Sequence, residues 1–276
     1  MPSTAVSDWE EMELLVTVKA YPSVSVKYGE AVCVAGVRLD GPVPEWVRLF
    51  PVGFRGLPRE QQFRKWQRVR LRAQRHSTDR RRESYRPDVD SFRLGEVLPA
   101  GGCWPARRPL VERLEGPTMC ELYRGRRGGG DGPSLGFVRP REVLDVVVRA
   151  ADGWTGAQQA RLAQVSLLGE RQRELVKPAH SFAYRWVCEQ QGCRGHTQSI
   201  ADWELGESYR SWRGTEREVI EDVRRKWLGV LCDPKRETLF FVGDQHQHPG
   251  GFMVLGVFYP EYRPDRDQLA LDLSLA

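Results

Sequence analysis

Two cysteines and a histidine lie close together in the segment RWVCEQQGCRGHTQSIADWE, residues 185–204. Cys188, Cys193 and His196 follow the pattern Cys-x4-Cys-x2-His, at the end of a predicted strand and in the turn after it. Two thiolates and an imidazole on such a turn can bind one tetrahedral ion, and structural zinc sites use these ligands. The spacing therefore predicts a zinc-binding knuckle.

The fourth ligand must come from another segment. A loop between two apolar strands near the C-terminal end carries His246 and His248. We expect His246, or its neighbour His248, to complete the ligand set, with His180 behind it. The alternative without metal is a pair of ordinary thiols and a hydrogen-bonded histidine. Both interpretations give the knuckle a structural role at the junction between a strand and a helix that begins near Ser199.

The acidic residues beside the knuckle allow a catalytic alternative. Asp202 and Glu204 lie where a helix is predicted to begin, and capping alone explains carboxylates at that position. In a metal-dependent nuclease they would instead help to hold an ion that activates water for attack on phosphorus. The nuclease interpretation adds four side chains: His196, His246, His248 and Lys226. No recognised nuclease spacing, phosphate-binding glycine loop or dinucleotide fingerprint is present, so the sequence favours binding over catalysis.

Positive charge is concentrated in residues 55–86. This segment holds twelve Arg or Lys against three acidic residues, an excess of nine, whereas the whole chain carries +5. The remainder of the chain is therefore acidic, at −4. Such a local excess is typical of a protein that binds a polyanion.

The basic segment contains a predicted strand, RVRLRAQR, in which apolar and basic residues alternate. Its exposed face would place guanidinium groups about 6 to 7 Å apart, close to the spacing of phosphates along a nucleic-acid strand. We expect phosphate contacts from Arg64, Lys65, Arg68, Arg70, Arg72, Arg75, Arg80, Arg81 and Arg82. The flanking aromatic side chains, which could stack on bases or enclose an everted base, are Trp66, His76, Tyr85 and Phe92.

The elements that position these residues divide the chain into two parts. Short β-rich runs at 15–19, 30–37 and 45–52, separated by turn residues, predict an antiparallel barrel within residues 13–150. Residues 151–276 mix strands with two helices, for which Ser199 with Asp202 and Thr215 with Glu218 fit the capping box. The predicted fold class is α+β, with an N-terminal antiparallel OB-like β-barrel region and a C-terminal mixed α+β region.

The string VKAYPSVSVKYGEAVCVAGV, followed by EWVRLFPVGFR, resembles a group of largely uncharacterised bacterial proteins with paired OB-type barrels. The strings CRGHTQSIADWE and HPGGFMVLGVFYP resemble later parts of the same proteins. The resemblance implies an OB-like architecture that binds nucleic acid, and it identifies no catalytic residues.

Composition limits the class of protein. The chain is 40% apolar and 29% charged, and no apolar run approaches the roughly 20 residues that a membrane span requires. The N-terminal segment MPSTAVSDWEEMELL lacks the order of a secretory signal, so we expect a cytoplasmic protein. Six cysteines in 276 residues are too sparse for a disulfide framework.

The sequence as a whole predicts a nucleic-acid-binding protein that prefers DNA over RNA. Its most specific form would be a reader of modified or flipped bases. Two alternatives stay open: a metal-dependent nuclease built on the region of His196 and Asp202, and a module whose arginines bind an acidic protein.

Overall fold

The first half of the chain folds into strands separated by turns, as its β-rich runs predict. The computed structural model describes residues 8–25, 29–168, 175 and 177–263. The strands of the first half are β1 (Glu10–Lys19), β2 (Ser23–Ser25), β3 (Gly29–Arg38), β4 (Glu45–Val52), β5 (Gln67–Arg75) and β6 (Ser84–Val97). Two 3-10 turns, Phe54–Gly56 and Arg59–Gln61, connect β4 to β5.

Five of these strands close into a barrel. Around the ring the order is β1, β3, β4, β6, β5 and back to β1. All neighbours are antiparallel except β4 and β6, which pair in parallel where Arg48 lies beside Ser84. A five-stranded Greek-key barrel is the OB architecture, so the predicted OB-like barrel is confirmed. We call this ring the first barrel.

The alternation predicted for the arginine strand is also confirmed. Along β5, Val69, Leu71 and Ala73 are buried in the barrel interior, whereas Arg70 and Arg72 face solvent. Successive side chains of a strand point to opposite faces, so burying the apolar set exposes the basic set. The interior is closed by aromatic side chains from outside β5, including Phe63 and Phe92.

The rest of the chain contains both strands and helices, and the α+β character predicted for residues 151–276 is confirmed. Its strands are β7 (Leu135–Val138), β8 (Pro140–Ala150), β9 (His180–Cys188), β10 (His196–Ser199), β11 (Leu239–Gln245) and β12 (His248–Phe258). The helices are α1 (Arg108–Val111), α2 (Met119–Arg126), α3 (Gly156–Leu168), α4 (Trp203–Ser211) and α5 (Glu216–Arg224), which continues into a π-helical turn, Arg225–Val230. The remaining 3-10 turns are Glu112–Leu114 and Arg127–Gly129. No helix in the described ranges is long and apolar enough to cross a membrane.

The two three-stranded sheets of this half form a second, less regular ring. Only Arg139 separates β7, which pairs with β11, from β8, which pairs with β9. Ile200, directly after β10, forms a parallel bridge to Val254 in β12. The order β7/β8, β9, β10, β12, β11 repeats that of the first barrel, with α4 and α5 between its third and fourth strands. We call this ring the second barrel.

The strand pairing assigns residues 135–150 to the second barrel, whereas the sequence prediction placed them with the first. The sequence pattern could not indicate the partners of β7 and β8, because those partners lie about 40 to 100 residues further along the chain, in β9 and β11.

The two barrels pack through an apolar layer. The outer faces of β1 and β3 contribute Leu15, Ala35 and Val37, which lie against Phe137 and Phe241 of the second barrel. Trp46 on β4 meets the ring of Phe241 edge-on, with 6.0 Å between the ring centroids. The second barrel therefore covers the outer β3–β4 face of the first.

A buried ion pair crosses the same junction. The ammonium of Lys65 lies 2.9 Å from a carboxylate oxygen of Asp202, and the two side chains are 7% and 3% exposed. Burial disfavours the charged lysine, but attraction to Asp202 and Glu204 outweighs it and raises the pKa of Lys65. The interaction therefore fastens the start of β5 to the start of α4.

Asp202 is also the N-cap of α4, where its side chain accepts a hydrogen bond of 2.8 Å from the backbone amide of Glu204. The capping box predicted from Ser199 is wrong, because Ser199 is still part of β10. The capping box predicted for Thr215 and Glu218 is confirmed at the start of α5.

Replacing Asp202 by Asn should cost up to about 3 to 5 kcal/mol of folding free energy, because Asn can still cap the helix but leaves the buried, charged Lys65 with only Glu204, at 3.5 Å, as an ion-pair partner. Equilibrium unfolding in urea measures the loss. The control is Glu207→Gln, which breaks an exposed pair with Arg210 and should cost less than about 1 kcal/mol. If Asp202 acted as a cap alone, as the sequence suggested, the Asn variant would be nearly as stable as the parent.

Candidate metal centre and nucleic-acid interface

Four side chains with metal-binding atoms converge beside α2. Cys188 ends β9, Cys193 lies in the following turn, His196 begins β10, and Cys120 reaches them from α2. Their ligand atoms all lie within 4.8 Å of one another. In the described ranges, no other group of three or more His, Cys, Asp or Glu side chains is arranged closely enough for one ion.

Three of the six distances between the ligand atoms of this Cys3His cluster are close to those of a tetrahedral site. The sulfurs of Cys120 and Cys188 are 3.6 Å apart, and His196 Nε2 lies 3.2 Å from the sulfur of Cys193 and 3.7 Å from that of Cys120. Ligands bonded at 2.0 to 2.3 Å to a tetrahedral ion lie about 3.3 to 3.8 Å from each other. The arrangement is thus compatible with a metal such as zinc.

The local backbone explains how the turn brings its ligands together. Gly192 and Gly195 have φ values of 75° and 95°, a region that residues with a side chain rarely adopt. The amide of Gly195 donates to the sulfur of Cys193 over 3.4 Å. Burial of Cys193 opposes its ionisation, but this hydrogen bond and one with a neighbouring thiol lower the pKa of Cys193.

Burial also lowers the pKa of His196, so the imidazole is neutral near pH 7 and keeps a free lone pair. Its ring stacks on Tyr123, with 5.6 Å between the centroids, and packs against Trp186 at 5.0 Å. These contacts fix the orientation of the ring. A neutral, oriented imidazole is the form that binds metal ions.

The predicted fourth ligand, His246, belongs elsewhere. Its side chain is 57% exposed, and its Nδ1 lies 3.4 Å from Asp79 in the loop between β5 and β6. The turn between β11 and β12 is directed towards that loop, so Cys120 completes the cluster instead. Sequence reasoning missed Cys120 because it lies 68 residues from Cys188 and had no neighbouring ligand. The one local signal was a capping box, Thr118 with Glu121, that fixes the start of α2.

The residues of the nuclease alternative are dispersed. His196 belongs to the Cys3His cluster, and Asp202 is bound to Lys65. Lys226 donates to Ser208 over 3.1 Å and lies above the ring of Trp227. The described residues therefore contain no carboxylate-histidine group of the kind that this alternative requires.

Several arginines of β5 meet acidic side chains that are distant in sequence. Arg68 lies 2.9 Å from Glu13 on β1, and Arg70, although 79% exposed, lies 3.4 Å from the same carboxylate. Arg72 pairs with Asp88 on β6 at 2.5 Å. The tertiary structure thus neutralises much of the charge that the local sequence leaves unbalanced.

Arg81 lies inside the protein. Its side chain is 9% exposed, and it contacts both Asp79 and Asp244. Hydrogen bonds from Arg81 and Ser84 outweigh the effect of burial and hold the pKa of Asp79 well below its usual range. Asp244 has no exposed side-chain surface and also binds Arg126 at 2.9 Å. Arg81 is therefore part of the junction between the barrels and is not available to phosphates.

Four other guanidinium groups remain accessible at this end of the first barrel. We call them the basic rim: Arg75, Arg80, Arg82 and Arg86. Within the part of the chain that the structure describes, none of the four forms an ion pair, although Arg75 lies over the ring of Tyr85, 4.3 Å from its centroid. Arg80 and Arg82 line a cleft of about 390 Å³, which Arg126, Glu83 and Asp131 also line. The rim is therefore a set of accessible guanidinium groups that have no direct carboxylate partner.

Three of the four flanking aromatic residues are buried: Trp66, Tyr85 and Phe92. His76 is half-buried, and its Nδ1 accepts from the amides of Thr78 and Asp79 at 3.3 and 3.2 Å. It thereby shapes the loop between β5 and β6. Arg64, which precedes β5 in the chain, is exposed, unlike these aromatic residues.

The chain belongs to the family described as Domain of unknown function (DUF8757), whose model matches residues 115–274. A second model, Domain of unknown function (DUF8758), matches residues 10–113. The DUF8758 match contains the whole first barrel, and the DUF8757 match contains the whole second barrel. No curated protein matches the chain.

The solved structures that are similar to the chain include the following two. "Structure of murine DNA binding protein bound with ds DNA" is 7% identical, with 93% of this chain and 98% of that chain covered and a TM-score of 0.30. "Crystal structure of p204 HINb domain" is 10% identical, with 93% and 100% covered and a TM-score of 0.33.

Replacing Cys120 by Ser should remove bound metal, because a hydroxyl is a poor substitute for a thiolate ligand. His246→Ala should retain the metal. Elemental analysis of the purified variants gives the metal-to-protein ratio. Cys232→Ser is the matched control, since Cys232 is a thiol outside the cluster that contacts the carbonyl of Trp227. Loss of metal from His246→Ala, with Cys120→Ser unaffected, would contradict the assignment.

Proposed function

We propose that the chain binds nucleic acid, preferentially DNA, and that the basic rim contacts the phosphate backbone. The observation that carries this proposal is the set of unpaired guanidinium groups around the loop between β5 and β6. In OB barrels, the loop between the fourth and fifth strands is one of the segments that contact oligonucleotides. Here the same loop carries Arg80 and Arg82.

The location of the rim follows from the packing of the barrels. OB barrels bind oligonucleotides on the face of their second and third strands as well as on their loops. In this chain those strands are β3 and β4, and the second barrel covers their outer face. We therefore assign the contact with nucleic acid to the end of the first barrel that carries the basic rim.

The second barrel contributes to the same end. The corresponding turn, between β11 and β12, is held beside the loop by the pair of Arg81 with Asp244. This turn carries His246 and precedes His248, which are both exposed. A strand of nucleic acid lying on the rim would therefore also pass close to these imidazoles.

Zinc is the ion that we propose for the Cys3His cluster, since three thiolates and one imidazole are a common set in structural zinc sites. Such a site has no open coordination position, so zinc would stabilise the fold there and not activate water. Zinc content measured in protein purified without added metal tests this assignment.

The proposal also includes recognition of a modified or everted base. Tyr85 and Phe92 cannot enclose a base, because both are buried in the interior of the first barrel. Trp66 is as buried as these two, but it lies in the wall of a separate cleft at the junction of the barrels that the less buried Trp203 and Tyr259 also line. Recognition of a base is therefore assigned to that cleft and not to the rim.

Replacing Arg80 and Arg82 together by Gln should weaken binding to all DNA sequences about equally, because phosphate contacts carry no sequence information. The slope of log K against log salt should become shallower by about 1.8, which is the effect expected for two lost phosphate contacts on duplex DNA. Fluorescence anisotropy with a labelled duplex at several salt concentrations measures both quantities.

Two controls accompany this double variant. Arg213→Gln with Arg217→Gln removes the same charge from the α4–α5 region and should leave the slope unchanged. Arg68→Gln with Arg72→Gln removes guanidinium groups that already contact carboxylates, so its effect should be smaller than that of the rim variant. Equal slopes for the rim variant and the parent would refute the interface. Tighter binding to polyglutamate than to DNA would favour the acidic-protein alternative.

A further inference from the structure

A cleft of about 430 Å³ opens where the two barrels meet. It lies between the end of β1, the segment before β5, and the start of α4. Its aromatic lining residues are Trp66, Trp104, Trp203 and Tyr259. Its volume lies within the range of small-molecule sites, which are lined mainly by apolar and aromatic groups with a few polar ones.

Two of its tryptophans have unusual backbone conformations. Trp66 and Trp104 have φ values of 64° and 53°, and they are the only residues other than glycine with positive φ among those described. Their rings meet edge-on at 5.5 Å, and the guanidinium of Arg107 lies over both. Such backbone strain costs about 1 to 3 kcal/mol per residue and concentrates at binding sites. Its occurrence at two walls of one cleft indicates a pre-formed site.

A lysine in the cleft lacks an anionic partner. Lys19 is 7% exposed, and its ammonium lies 3.9 Å from the ring centroid of Phe54 and 4.2 Å from that of Trp203. No hydrogen-bond acceptor among the described residues contacts it. The neighbouring Lys65 is different, because Asp202 and Glu204 both pair with it.

The charge of Lys19 depends on this environment. Burial and the nearby charge of Lys65 outweigh the attraction of Glu204, Glu207 and Asp202 and lower the pKa of Lys19 to about 8, so most molecules carry the ammonium at pH 7. No carboxylate among the described residues forms an ion pair with this ammonium, so a bound anion would give it a direct charged partner. The cleft therefore offers an anion a desolvated positive charge between aromatic rings.

A second cation lies at the opening of the cleft. Arg64 is exposed and lines the cleft, and no carboxylate among the described residues pairs with it. Arg107 is already occupied by two hydrogen bonds to the carbonyl of Leu98, at 3.0 and 2.8 Å. Among the described residues, Lys19 and Arg64 are thus the two lining cations without a carboxylate or carbonyl partner, and the carboxylate of Glu204, which pairs with Lys65, also lines the cleft.

We propose that this cleft binds a nucleoside monophosphate, with the base against the tryptophan and tyrosine rings and the phosphate at Lys19 and Arg64. Trp203 and Tyr259, which are less buried than Trp66 and Trp104, offer the ring surface on which any base can stack. A phosphate monoester carries nearly two negative charges at neutral pH, which match the two unpaired cations, whereas an aromatic carboxylate carries one. The site is separate from the basic rim, which lies at the other end of β5, so it does not depend on polymer binding.

Titration of the full-length protein with dAMP, dGMP, dCMP and TMP, followed by tryptophan fluorescence and calorimetry, tests the assignment. At least one monophosphate should bind saturably, and the matching nucleoside should bind about tenfold more weakly or worse, because it lacks the charge-assisted hydrogen bonds. Lys19→Met should weaken binding of the monophosphate by a similar factor and leave the affinity for the nucleoside unchanged. Arg64→Gln, at the exposed opening, should have a smaller effect in the same direction.

The controls separate this site from the rim and from misfolding. Arg80→Gln with Arg82→Gln should bind the monophosphate as the parent does, whatever its effect on DNA binding. Circular dichroism and the thermal midpoint establish that Lys19→Met is folded, and Arg64→Gln provides a second, surface variant. The proposal is overturned if no monophosphate binds, if both variants bind it as tightly as the parent, or if indole-3-acetate binds more tightly than every monophosphate.

Discussion

The ion pairs of the buried Asp244 carboxylate are the interactions on which the basic rim and the Cys3His cluster both depend. This carboxylate has no exposed surface, and a buried charge is tolerated only when it is fully paired. Arg81 supplies one partner from the loop between β5 and β6, and Arg126 supplies another from α2. The amide of Gly250 donates a third hydrogen bond from β12. Because α2 also carries Cys120, one anion holds the base of the rim and the helix of the Cys3His cluster together.

The same junction decides which surfaces are available for binding. Packing of Phe137 and Phe241 on the outer faces of β1 and β3 removes the broad face that an isolated OB barrel would offer. The loops at the end of the barrels stay accessible. At the other end, the pair of Lys65 with Asp202 closes the interface beside the tryptophan-lined cleft. Covering one surface has thus produced a cleft that neither barrel forms alone.

Charge in this protein is balanced in three dimensions and not along the chain. Residues 55–86 carry an excess of nine positive charges. Acidic groups from β1, β6 and β11 nevertheless reach it, so Arg68, Arg72 and Arg81 are paired. Among the described residues of this segment, the guanidinium groups without an ion pair are those of the rim, Arg59 and Arg64. Nucleic-acid binding is therefore expected to depend on a few loop residues and not on the whole basic strand.

The sequence alone determined most of the strands but not β6, together with the alternation of β5, the cap of α5 and three members of the Cys3His cluster. All of these depend on residues that are close together along the chain, where periodicity and spacing are direct signals. Only the tertiary structure decided that Cys120 and not His246 completes the cluster, that β7 and β8 belong to the second barrel, and that Arg81 is buried. Each of these outcomes depends on partners that lie tens to more than a hundred residues away, and which distant groups meet is set by packing of the two barrels.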